Sequence, residues 1–183
     1  MNQTSALPFS SPEAPPPDRL FLRIGGLTLE LFSPVPSLKL PIDARMEKFL
    51  VPEGPPDFRL QAGWGDLSPA PAREAMIFDS GSLWKLYRAG SSLLFSFTSA
   101  AFGPAPYKTA RVAADFREGE ILLHTPYFGA GRAAYPLEYP LDELLFTNSL
   151  SLEKGVELHA CGILDAAGGG HLFLCNRQPG LKG

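Results

Sequence analysis

Cysteine is nearly absent: Cys161 and Cys175 are the only two in a chain of 183 residues. Two thiols cannot supply a disulfide framework for a domain of this size, so the chain reads as cytosolic, with both cysteines reduced and buried as small apolar groups. Positive charge is not concentrated anywhere. With a net charge of −3 and no cluster of Lys or Arg, the sequence offers no electrostatic footprint for nucleic acid or an anionic membrane. No apolar run approaches the roughly 20 residues that cross a bilayer. The N-terminal MNQTSALPFSSPEAPPPD lacks the basic-then-apolar order of a secretory signal. Chemical signatures are equally sparse. There is no G-x-S-x-G elbow. His124, His159 and His171 lack the i, i+4 spacing of a helical zinc site, and the cysteines form no C-x-x-C pair, so no metal held by protein ligands alone is expected.

Apolar residues, by contrast, are plentiful. Hydrophobic residues make up 45% of the chain and aromatics 11%, enough to fill one core at this length. Residues 1–18 hold five prolines, which remove backbone donors and prevent regular pairing; they read as a disordered leader to a single β-rich domain over 19–183. In RLFLRIGGLTLELF, Leu20, Leu22 and Ile24, then Leu27, Leu29 and Leu31, alternate around Gly25-Gly26, the pattern of a hairpin with a two-residue turn. After a proline-rich connector over 33–56, in which IDARMEKFLV suits a helical turn or a short strand, come DFRLQAGW, EAMIFDS, SLWKLYRAG, SLLFSFTS, KTARVAADF and GEILLHTPYF. Each is enriched in aromatic or branched residues and bounded by Gly, Pro, Ser or Asp, so 56–127 reads as successive antiparallel strands, a meander or a similar sheet.

One helix is predicted over about 140–150. Pro140 suits a first helical position and Asp142 and Glu143 suit the positive end of the dipole. Leu141, Leu144, Leu145 and Asn148 share a face, and Gly155 ends the pattern. A strand over Val156–Asp165, a glycine-rich turn and an apolar run from His171 to Leu174 then lead into CNRQPGLKG. The expected class is therefore α+β: a mostly antiparallel sheet over 19–127, one helix and two final strands. Gly129, Gly131 and Ala134 spell G-x-G-x-x-A, but Pro136 and Pro140 interrupt the helix such a dinucleotide motif requires, and a plain glycine-rich loop is the reading adopted. Asp142 and Glu143, adjacent in a helix, point about 100° apart and are poor partners for acid–base work. By pattern alone His159 is a hydrogen-bonded structural histidine.

The block YPLEYPLDELLFTNSLSLEKGVELHACGILDAAGGGHLFL resembles the HPr kinase-like proteins, which share a nucleotide-binding core with phosphoenolpyruvate carboxykinases. The β-rich region before it is similar to the N-terminal half of HPr kinase-related proteins of bacterial peptide-modification clusters, so that the resemblance spans roughly residues 19–175. It implies a fold that delivers a P-loop after the last strand, with ATP and Mg²⁺ as the intact family's cofactors and a peptide or protein hydroxyl as its phosphate acceptor. It also implies a functional histidine on the strand before the loop, a position that His159 matches. A P-loop reads G-x-x-x-x-G-K-[ST]. Here Cys175, Leu181 and Lys182 stand at the first glycine, the lysine and the hydroxyl residue, and Gly180 alone keeps its place. Gly180 and Lys182 are thus the remnants of a degenerate cofactor-binding loop, and the family's downstream metal-binding and proton-accepting aspartates are missing. Phosphoryl transfer depends almost wholly on positioning and charge neutralisation by these groups. The expectation is an inactive forepart of such a kinase, by truncation or a reading-frame error, without cofactor of its own and with an apolar strand edge that associates with itself or a peptide or protein partner. The alternative is a stand-alone β-rich interaction or ligand-binding domain, with Trp64, Trp84 and Tyr87 either lining a recognition surface or filling the core.

Overall fold

The structure, a computed structural model, describes residues 18–42, 44–67, 75–128, 134–153, 155–158 and 160–174. Residues 1–17 of the expected leader, Gly129 and Gly131, and the site candidates His159, Cys175, Gly180, Leu181 and Lys182 lie outside the described residues. The protein is mostly β, with a large mixed sheet and one long helix.

The hairpin pairs β1 (Asp18–Ile24) with β2 (Leu27–Ser33) in the register Leu22↔Leu29. Gly25 and Gly26 take φ 61° and 87°, the two positive values that a type I′ turn demands and that glycine adopts without a Cβ penalty. Of the two forms expected for IDARMEKFLV, the connector takes the helical turn and makes no strand beyond a single bridge. Glu47–Phe49 makes a 3-10 turn, and Leu50 then bridges to Leu22 on the outer edge of β1. The six following segments give β3 (Phe58–Gly65), β4 (Met76–Asp79), β5 (Trp84–Ala89), β6 (Ser92–Ser99), β7 (Gly103–Ala113) and β8 (Glu118–His124). β4 to β8 form the expected antiparallel meander, but β3 does not join it at β4. The sheet order is β1-β2-β3-β8-β7-β6-β5-β4, and β3 runs parallel to both neighbours. The 24 residues between β2 and β3 make this possible, since a parallel crossover needs a dozen or more.

Register places one apolar face across all eight strands. Leu22, Leu29, Phe58, Ile121, Ala110 and Phe95 belong to it and are buried. The opposite face carries Glu30, buried between the Arg19 and Arg59 guanidiniums. Where β8 begins, backbones close tightly: a Cβ on Gly119 would meet the Arg111 carbonyl oxygen at 2.7 Å, Val112 Cγ1 at 2.8 Å and Leu60 Cδ2 at 3.0 Å. Gly119→Ala is expected to cost about 1–3 kcal/mol through this overpacking. Urea unfolding checks it, and an unchanged midpoint would contradict so close an approach.

Thr125–Phe128 makes a single helical turn, α1, and Leu141–Leu152 the main helix, α2. Asp142 and Glu143 occupy the first turn of α2 as expected, and the Gly155 N–H closes its end on the Leu150 carbonyl at 2.7 Å. Its buried residues are Leu141, Leu145, Phe146 and Ser149, so the face against the sheet is rotated from the expected Leu144 and Asn148 toward Phe146 and Ser149. Burial of a serine is the reason that apolarity alone misplaces the stripe. The first of the two final strands begins later than expected, at β9 (Ala160–Leu164), and pairs only with β10 (Gly170–Leu174) among the described residues. Cys161, expected to be buried, is exposed on β9, because none of the described residues covers that hairpin.

Candidate functional site

The sequence-derived candidates His159, Gly180 and Lys182 lie outside the described residues, and α2 with the segment that leaves it is the described part of the chain that leads toward them. The β1–β2 turn, one face of α2 and Val156–Glu157 line an open cavity of about 440 Å³. Leu150 of α2 packs on the turn, 3.4 Å from the position of a Cβ on Gly25. Phe146 stands edge-on to Phe58, with ring centroids 5.1 Å apart. Three carboxylates reach this cavity: Asp142, Glu143 and Glu157. Burial raises the Asp142 carboxyl above the usual range, against its own hydrogen bond from the Glu143 N–H and the nearby Lys108 charge. Thr147 Oγ1 donates to Glu157 and ties the outgoing segment to the helix.

Beyond Leu158 comes the hairpin. Asp165 organises its turn by accepting from the N–H groups of Ala167 and Gly169, and its carboxylate lies 3.1 Å from His171 Nε2. The His171 contact, then these N–H groups, holds the Asp165 carboxyl below its ordinary range. Among the described residues the hairpin has no apolar cover. Ile163, Leu164, Leu172, Phe173 and Leu174 are each more than half exposed. Register puts Ile163 and Phe173 on one face and Leu164, Leu172 and Leu174 on the other, so both faces are apolar.

Of the residues singled out from sequence, Trp64 and Trp84 are half-buried against the core and Tyr87 is buried, consistent with packing. His124 is also structural. At the carboxyl end of β8 its Nδ1 accepts the Leu67 N–H at 3.0 Å, while Tyr127 packs edge-on at 4.5 Å between ring centroids. It fixes the start of the connection that leaves β3. Among the described residues no group of three or more His, Cys, Asp or Glu converges as metal ligands, and no helix is long and apolar enough to cross a membrane.

Sequence reasoning missed Lys108. It lies on the core face of β7, in the cross-strand row Trp64, Leu123, Lys108, Phe97 and Trp84, with no exposed surface. Its Nζ donates to the Pro136 and Glu138 carbonyl oxygens at 3.1 and 3.2 Å, has the Glu138 carboxylate at 3.9 Å, and lies 5.0 Å from the Phe97 ring centroid. Burial pushes the ammonium down to about 8, and the Glu138 and Asp142 charges offset part of that. The only signal in the sequence was its period-two alignment with Ala110 and Val112. Lys108 thus clamps the approach to α2 onto the sheet. Compared with protein-family models, curated proteins and solved structures, the chain matches none.

Proposed function

We propose that this chain is an HPr kinase-like descendant that no longer transfers phosphate and works as a binding domain for a peptide or protein partner. The observation that carries the reading is the β9–β10 hairpin, apolar on both faces and paired only with itself among the described residues. An isolated two-stranded hairpin is marginal in water. Exposed apolar patches and unpaired strand edges are the usual templates for association. The sequence supports the loss of catalysis: with Leu181 where a P-loop has its lysine and Lys182 where it has its hydroxyl, neither charge neutralisation nor metal ligation is provided. His159 keeps the family's position as an ancestral feature.

Calorimetric titration with Mg-ATP separates this reading from an active kinase. No saturable heat is expected, and micromolar affinity would sink the claim that the nucleotide site is lost. Light scattering across protein concentrations tests the partner side. Wild type is expected to self-associate or to take up added β-strand peptides, and Leu172→Asp to do neither while keeping its unfolding midpoint. A wild-type chain that stays monomeric and ignores such peptides would refute it. A second reading, a free-standing ligand-binding domain, is favoured by the cavity beside α2, whose Ile24, Phe146, Leu150 and Val156 form a largely apolar wall.

A further inference from the structure

The two prolines near the start of β7 interrupt the sheet. Lys108 pairs with Phe97 and Gly103 with Ser99, so a two-residue step along β6 faces a five-residue step along β7. Pro104 and Pro106 fall within the long step and have no N–H to give to a ladder, so residues 104–107 leave the register with β6 in the manner of a bulge. A second cavity, open and of about 440 Å³, lies beside this break. Alternation decides what lines it. Trp84, Leu86, Phe95 and Phe97 belong to the core or pack against it, so Lys85, Tyr87, Ser96 and Thr98 stand on the opposite face of β5 and β6. Leu83, Pro104 and Pro106 complete the lining with apolar surface.

Among the described residues the lining carries one charge, the Lys85 ammonium, and Asp79 neutralises it at 3.1 Å. The Gly81 N–H and then Lys85 hold the Asp79 carboxyl below its ordinary range, so the pair stays ionised. The other polar side chains are all hydroxyls, on Ser82, Tyr87, Ser96, Thr98 and Ser99. Ser96 is 3% exposed and Tyr87 6%, and Tyr87 stands outside the hydrophobic core cluster. Neither oxygen is sealed from the cavity, and neither hydrogen-bonds to a described residue. Hydroxyls so nearly buried are ordinarily satisfied, and here the cavity is where a partner fits. An anion needs an uncompensated cation and a cation needs a free carboxylate, and the described lining supplies neither. Each hydroxyl both donates and accepts, which suits a ligand made of hydroxyls itself. We propose that this cavity binds a neutral polyhydroxylated ligand, a sugar ring, whose hydroxyls bond to Ser96, Tyr87 and Thr98 while its C–H face lies on Leu83 and Pro104. The volume is within the range of small-ligand sites. No residue of the hairpin takes part, and the site does not rest on the hairpin's role.

The test follows backbone amide shifts while the full chain is titrated with the methyl glycosides of glucose, galactose, mannose and N-acetylglucosamine, with maltotriose, and with sodium phosphate and butylammonium chloride as charged probes. Saturable shifts at Lys85, Ser96, Thr98 and Gly103 are expected from at least one glycoside and from neither ion. Binding of maltotriose at least about tenfold tighter than of methyl glucoside assigns the site to a saccharide chain, and a smaller difference assigns it to a single ring. Ser96→Ala is expected to weaken sugar binding about three- to tenfold without lowering the melting temperature, because it removes no hydrogen bond to a described residue; a purely structural serine would not give that combination. Tyr87→Phe keeps the ring in place and is expected to weaken binding by a similar factor. No saturation with any glycoside, larger shifts with phosphate or butylammonium than with every sugar, or variants that bind like wild type would overturn the proposal.

Discussion

Replacing Lys108 by alanine is expected to lower the unfolding free energy by about 3–5 kcal/mol, as removal of one member of a buried charged network does. The substitution strips the Pro136 and Glu138 carbonyls of their donor and opens a void in the row that Leu123 and Phe97 close. Lys108→Met fills the void without a charge to desolvate and is expected to cost less. The charge itself gives the sharper readout. Burial holds the folded ammonium at about 8, against 10.5 for the free side chain, so between these values the unfolded chain binds more protons than the folded one. Stability therefore rises with pH across that window, by an amount on the order of 3 kcal/mol at about 1.4 kcal/mol per unit. Tyr107 acts in the opposite sense. Its burial, with the Glu138 charge, pushes the phenol up to about 12 from 10.0, so its contribution is present below pH 10 and lost as pH climbs toward 12. Urea unfolding from pH 7 to 11 is expected to show maximal stability near pH 10, with the rise from pH 8 missing in Lys108→Met. Equal profiles in the two proteins would refute the clamp.

Lys108 also marks the boundary of what local pattern reveals. Residues that state their own geometry were legible: Gly25-Gly26 demands a turn of positive φ, the six aromatic-rich segments announce strands, and Pro140 with Asp142 and Glu143 announces a helix start. Properties decided by distant partners were not. Nothing within FRLQAGWG says that β3 runs parallel to β2 and β8, because direction depends on how far the preceding connector travels. In KTARV the alternation with Ala110 and Val112 puts Lys108 on the buried side, but its charge argues against burial, and the two backbone carbonyls from beyond residue 134 that make it tolerable are not visible locally. Cys161 reads as a core residue by composition but is exposed, since exposure depends on what packs against β9. Ser149 was recoverable in principle. It falls at i+8 from Leu141 along the 141, 145, 149 stripe that is buried, although its polarity argues the other way.

Phe146→Ala is the second substitution with a large expected effect, about 3–5 kcal/mol for a buried phenylalanine, out of the roughly 5–15 kcal/mol that holds a domain together. α2 spans 12 residues and includes Thr147, Asn148, Ser149 and Ser151, which are modest helix formers. A helix this short is marginal in water, so its stability comes from docking. Docking is concentrated in few side chains. Phe146 meets Phe58 at the start of β3 edge-on, a geometry that adds about 0.5–1.5 kcal/mol to area burial, and Leu141 and Leu145 extend the contact toward the segment held by Lys108. Removing the ring leaves a void at the junction of helix and sheet that the β1–β2 turn cannot fill, because Gly25 already lies against Leu150. Loss of the 222 nm helical signal is expected to coincide with the lowered urea midpoint, while Leu152→Ala, at an exposed position of the same helix, is expected to stay within about 0.5 kcal/mol of wild type. A Phe146→Ala protein that unfolds like wild type would mean that α2 is not seated on Phe58, and the wall of the adjoining cavity would have to be drawn differently.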